Sequence, residues 1–178
     1  MTTKRFLCSI ALLTGVLIAR GSAAPILYTA TLSGSNEVPP VLTPATGSAT
    51  FSLSGDLLTV FETFTGLTAP AAAAHIHCCS LPGTNAPVIV PFTDFPTVTS
   101  GTYTNTFNLT TLGSAGEASL IAGLNSGQAY ANIHDSLHPG GEIRGQIQFA
   151  QTPEPGSLLL LGTGVLGVAG AVRRRLAV

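Results

Sequence analysis

The sequence changes character at every second residue, and this constrains the fold more than any other feature. In "GSATFSLSG", Gly47 to Gly55, the residues Ala49, Phe51 and Leu53 fall on one side and Ser48, Thr50 and Ser52 on the other. That is the period of a half-buried β-strand. "ILYTATLSG", from Ile26, follows the same rule, and Gly55-Asp56 marks a turn into "LLTVFETFTGL". Further short strands are expected at 74–78, 87–91, 101–109, 128–135 and 142–149, each bounded by Gly, Pro, Asn or Asp. Helical spacing is seen once, where Ala118, Ile121 and Leu124 predict one short helix over 114–124. Eight or so strands with this spacing predict an all-β domain, an antiparallel β-sandwich or a Greek-key barrel.

Charge is scarce and unevenly placed. Only 8% of the 178 residues are charged, against roughly 25% in ordinary soluble domains. Lys4, Arg5 and Arg20 lie near one end and Arg173, Arg174 and Arg175 near the other, with Arg144 alone between them. Glu37, Asp56, Glu62, Asp94, Glu117, Asp135 and Glu142 all fall in the middle. An acidic body between basic ends argues against a nucleic-acid partner, because phosphate binding needs a basic face.

The two ends differ from the body. Residues 1–24 have the pattern of a secretory signal peptide: Lys4 and Arg5, then the apolar "FLCSIALLTGVLIA", then the small residues "GSAA". Cleavage after Ala23 is preferred, and the secretion machinery is the first implied partner. Cys8 opens the apolar run instead of following the cut, which does not support a lipid anchor. Residues 152–178 contain Pro153-Glu154-Pro155, an apolar run from Leu158 to Val172 and the triplet Arg173-Arg174-Arg175. The run is shorter than the ~20 residues of a comfortable membrane span, and the arginines favour a cytoplasmic end. These three parts, in this order, resemble a PEP-CTERM sorting signal. The resemblance implies an exosortase-type protease as partner, transient inner-membrane anchoring of the precursor, and then the cell surface or the surroundings. A hydrophobic helix is expected at each terminus, with residues 25–151 as the domain between.

Alternation also groups the polar residues of the body. If Ile76 faces the core, His75 and His77 face away from it. If Ile133, Ile143 and Ile147 are buried, Asn132, His134, Glu142 and Arg144 face the same way as the histidines. Neighbouring strands would then collect His75, His77, Asn132, His134, Glu142 and Arg144 on one polar face. Glu37, in the rigid "NEVPP" loop, is expected to reach Arg144, the only cation of the mature body. Two histidines two apart on a strand can bind one metal ion, with His134 as third ligand and His138 or Asp135 as a further one. Imidazole donors of this kind suit copper or zinc, although no motif demands a cofactor. Alternatively the histidines order loops by hydrogen bonding to Glu142, Asp135 or backbone. Cys78 and Cys79 are the only thiols left after signal removal, and export exposes them to oxidising conditions. A bridge between them is the favoured state. Free thiols, pairing between molecules and soft-metal binding are the alternatives.

Four blocks along the body resemble a CHRD domain: "GSNEVPPVLTPATGSATFSL", "AAAHIHCC", "GQAYANIHDSLHPGG" and "EIRGQI". They span about 32–147. The resemblance implies a secreted β-rich domain with no established catalytic activity. Cys78-Cys79 departs from it, since Gly is common soon after the His pair in that family. The His-x-His strand is similar, more distantly, to copper-zinc superoxide dismutase, so immunoglobulin-like and superoxide-dismutase-like topologies are the two expected. Four histidines in all cannot supply that enzyme's full copper and zinc set. No Ser-His-Asp order, phosphate loop or carboxylate pair stands out, and Asn108-Leu109-Thr110 matches a glycosylation sequon that the bacterial tail makes idle. The expected function is therefore a non-enzymatic surface or matrix module that binds another macromolecule, polysaccharide among them. The second is a copper- or zinc-binding domain with superoxide-dismutase-like activity centred on His75, His77 and His134.

Overall fold

The computed structural model describes residues 24–150, 162–167 and 173–174. Among the described residues nine strands form one antiparallel sheet: β1 (Ile26–Ser33), β2 (Thr46–Ser54), β3 (Leu57–Thr65), β4 (Ala71–His77), β5 (Val88–Pro91), β6 (Gly101–Asn108), β7 (Tyr130–Asp135), β8 (Ile143–Gln146) and β9 (Gln148–Phe149). Their order is β5-β4-β7-β8-β1-β2-β3-β6, with β9 also on β1. One helix, α1 (Gly113–Ser126), lies between β6 and β7, one residue earlier at its start and two later at its end than helical spacing predicts.

The sheet is curled into a half-barrel, which corrects the expectation of two packed sheets. Its edge strands β5 and β6 approach through side chains. The Tyr103 hydroxyl donates to Thr93 O at 3.0 Å, and the Phe92 ring stacks on Tyr103 and Phe107 at 5.1 and 5.6 Å. Period-2 alternation then sends one face of every strand inward. Tyr28, Leu32, Phe51, Leu58, Val60, Ile76, Ile133, Ile143 and Ile147 are fully buried there, each contributing about 1.5–3 kcal/mol by leaving water.

The register brings different groups to the two ends of the curl. At the end where β1 starts and β4 stops, α1 buries Leu120 and Leu124 against the core. Tyr28 Oη donates to Asn125 Oδ1 at 2.6 Å, tying α1 to β1. At the other end, β1 stops, β4 starts and the chain between β7 and β8 crosses. The single strand expected over 142–149 is broken at Ile147. Its amide donates to Ala129 O at 2.9 Å, and beyond it the chain leaves β7 and pairs with β1 through Tyr28↔Phe149.

The expected terminal helices fall mostly outside the described residues. Residues 1–23 lie outside the described residues, as do Pro153, Glu154, Pro155 and Arg175. Of the apolar run, 162–167 is helical and exposed, as are Arg173 and Arg174. Among the described residues no helix is long and apolar enough to cross a membrane.

Candidate functional site

Strands β4, β7 and β8 are neighbours, and His75, Asn132 and Arg144 stand side by side across them. This assembles the outer polar face. His75 Nδ1 lies 3.2 Å from His134 Nε2, and one ring nitrogen of each of His75, His77 and His134 lies within 4.8 Å of the others. The surrounding backbone sets two of the tautomers. His77 Nδ1 is 2.8 Å from Ala86 O and His134 Nδ1 is 3.0 Å from Pro139 O. A carbonyl only accepts, so His77 Nδ1 carries the proton and its Nε2 keeps a lone pair, whereas His134 stands between two acceptors, Pro139 O at Nδ1 and Asn132 Oδ1, 3.0 Å from Nε2. His77 Nε2 is buried and has no hydrogen-bond partner. Burial also keeps the rings neutral. It lowers His75 to about 4, helped by repulsion from His134 and His77. It lowers His77 and His134 as well, although Ala86 and the nearby Asn132 side chain act to raise the first and Pro139 the second.

Tyr130, which alternation places on this face, is a member that residue chemistry alone overlooks. Its ring is parallel to His77 at 4.7 Å, and the Arg144 guanidinium lies over the Tyr130 ring, 3.3 Å from its centroid. Arg144 is only 2% exposed and donates to Thr84 O at 2.8 Å and Asn85 Oδ1 at 3.2 Å. Ala86 N donates to Tyr130 Oη at 3.1 Å. The loop between β4 and β5 is thus held across one flank of the histidines. No Glu37–Arg144 ion pair forms within 4.0 Å. Glu37 is buried beside Gly141, with its Oε1 unpartnered. Burial raises its carboxyl to about 7, with the Arg144 charge and the Val38 and Asn132 hydrogen bonds acting to lower it. Gly141 has φ +119°, and a Cβ there would overlap the Glu37 carboxylate, so the position requires glycine.

Glu142, Asp135 and His138 do not join this face. Glu142 stands before β8 begins, and its carboxylate accepts from Thr43 Oγ1 and from Thr68 N at 3.0 Å. Asp135 alternates with Ile133 and so faces inward. It accepts from Thr68 Oγ1 and Ala69 N, both at 2.8 Å, from Leu137 N at 2.9 Å and from His138 N at 2.6 Å. His138 Nδ1 is 3.0 Å from the same carboxylate. Burial acts to raise Asp135, but these hydrogen bonds outweigh it and hold the group below the usual carboxylate range. This knot closes the end of the curl opposite α1.

Cys78 and Cys79, at the end of β4, are joined by a disulfide. They pack on α1 at Gly123, where a Cβ would overlap Cys78 Sγ and lie 3.1 Å from Cys79 Sγ. A second feature of the outer face is a groove of about 530 Å³ beside the Arg144 stack, whose polar lining includes Thr29, Thr31, Asn36, Gln146 and Gln148.

Comparison with known families matches residues 28–147 to the CHRD domain and residues 151–175 to the PEP-CTERM protein-sorting motif. His75, His77, His134, Tyr130 and Arg144 all fall inside the first match, and Arg173 to Arg175 inside the second. No curated protein matches the chain.

Proposed function

This chain belongs to the CHRD-domain family, and on that premise we propose that it is a surface module acting by binding an extracellular macromolecule, polysaccharide first, rather than by catalysis. The PEP-CTERM motif makes it a substrate for exosortase processing and implies an anchored precursor exported to the cell surface. In this proposal residues 1–24 direct entry to the secretory route and 25–151 are the working domain. The groove is the observation that supports binding. Its exposed hydroxyl and amide side chains, Thr29, Thr31 and Gln148, offer donors and acceptors suited to sugar hydroxyls. Thr29 and Gln148 are paired across β1 and β9 and exposed along its wall. A glycan-binding survey of the purified chain tests the proposal. Binding to a subset of polysaccharides, weakened at least tenfold in a Thr29→Ala/Gln148→Ala variant, is expected. Uniform absence of binding would leave only a structural role.

Dismutase-like activity is not part of this proposal. The fourth histidine, His138, is committed to Asp135 inside the knot, and His75, His77 and His134 stand without it.

A further inference from the structure

We infer that His75, His77 and His134 bind one transition-metal ion, zinc(II) or copper(II), on the outer face of β4 and β7. This site is separate from the groove and does not depend on its ligand. Three observations carry the inference, and each is independent of the others.

The first is separation. Two nitrogens bound to a tetrahedral zinc at 2.0–2.1 Å stand roughly 3.3 Å apart. His75 Nδ1 and His134 Nε2 are 3.2 Å apart, so an ion can replace the hydrogen bond between them with little movement of either ring. The third imidazole nitrogen is within 4.8 Å of both.

The second is the way the rings are held. Imidazole ligands usually donate their distal N–H to a carbonyl or carboxylate, which fixes the ring and raises the basicity of the ligating nitrogen. His77 does this to Ala86 O and His134 to Pro139 O. Both acceptors are backbone atoms of loops, so the two rings are oriented whether or not an ion is present. His77 is held further by its stack on Tyr130, which is itself braced by Arg144.

The third is an unsatisfied atom. His77 is 9% exposed, and its Nε2 has no hydrogen-bond partner although it is buried. A buried polar atom without a partner is destabilising and calls for a reason. An ion held between the three rings supplies the missing partner. Three neutral imidazoles suit copper and zinc better than calcium or magnesium, which select oxygen ligands. They also leave a fourth coordination position for water or a small anion.

The test uses the full chain, stripped with a chelator, exposed to zinc(II) or copper(II) and dialysed. Retained metal is measured by mass spectrometry, with folding monitored by circular dichroism. About one equivalent per chain is expected for at least one of the two ions. His77→Gln and His134→Gln should each weaken binding at least tenfold, while His138→Gln should leave it unchanged. Chelation should lower the melting temperature of the loaded wild-type chain and leave that of His77→Gln unmoved. Should the variants not fold, cobalt(II) added to the unmodified chain gives a second readout, the intense visible bands of a tetrahedral nitrogen site. Retention of neither ion, equal retention by His77→Gln, equal loss in His138→Gln, or cobalt spectra identical to the free aqueous ion would each overturn the inference.

Discussion

Two clusters of ligand-type side chains lie a few residues apart in this chain, yet their chemistry is opposite. On the outer face, His77 Nε2 is buried without a hydrogen-bond partner, and the rings of His75 and His134 meet nitrogen to nitrogen at 3.2 Å. At the inner end, the carboxylates of Asp135 and Glu142 are taken up by Thr43, Thr68, Ala69 and the chain's own turn, and His138 Nδ1 is turned onto Asp135. Residue type would nominate both as metal centres. What separates them is the accounting of donors: carboxylates that already accept several N–H and O–H groups form a structural knot, and an imidazole with a bare buried nitrogen marks the site proposed for the ion.

The largest effect is expected where the knot is cut. Asp135→Ala leaves Thr68, Ala69, Leu137 and His138 without their acceptor and should cost about 3–5 kcal/mol, measured by urea denaturation at pH 7. Losses near zero would mean that the knot is not structural.

Another buried carboxyl sharpens the contrast, because neither of its oxygens has a hydrogen-bond partner. Glu62, on β3 inside the curl, has both oxygens buried and unbonded, and burial pushes its carboxyl up to about 8. The folded state therefore holds a proton that the unfolded chain releases above about pH 4.5. Stability from this group is complete below that pH and is lost as pH rises to about 8, by up to ~1.4 kcal/mol per pH unit. Glu62→Gln should flatten that decline and stabilise the protein at pH 8 but not at pH 4. Asp135 has the opposite sign. Its group is lowered by folding, so its contribution is present above the ordinary carboxylate range and is lost only as pH falls below it. Matching pH profiles for Glu62→Gln and wild type would show that Glu62 is not held protonated.

Smaller effects are expected around the histidines. Gly123→Ala forces a methyl into the Cys78–Cys79 disulfide and should cost about 1–3 kcal/mol, seen as a lower denaturation midpoint. The smallest belongs to His75, which is half-exposed. His75→Ala in metal-free protein should change stability by less than about 1 kcal/mol, whereas in the loaded protein it should remove the stabilisation by metal altogether. A large loss in the metal-free chain would place His75 among the structural residues and erase the contrast.

The sequence shows one of these clusters more clearly than the other. Strict alternation along β4, β7 and β8 was enough to place His75, His77, Asn132, His134 and Arg144 on one face, because a period of two leaves no other choice once Ile76, Ile133 and Ile143 are buried. The same rule puts Asp135 inward with Ile133, a consequence that its charge obscures. It fails at Glu142, because the positive φ at Gly141 comes just before the strand and the residue is not yet in the ladder. The single curled sheet was not legible either. Whether strands share one sheet or divide into two depends on which distant edges pair, and β1 joins β2 on one side and β8 and β9 on the other. Nor does local pattern show that the loop between β4 and β5 folds back over Tyr130 and Arg144, since those bonds cross about sixty residues of chain.

The contrast between the clusters can be tested in one crystal. Crystals of the chain soaked in zinc(II) or, separately, in copper(II), with data collected on both sides of the soaked metal's absorption edge, locate each bound ion by its anomalous scattering. The account predicts one strong peak about 2 Å from the three imidazole nitrogens of His75, His77 and His134, and none among Asp135, His138 and Glu142. A peak inside the carboxylate knot, or none between the histidines, would contradict it.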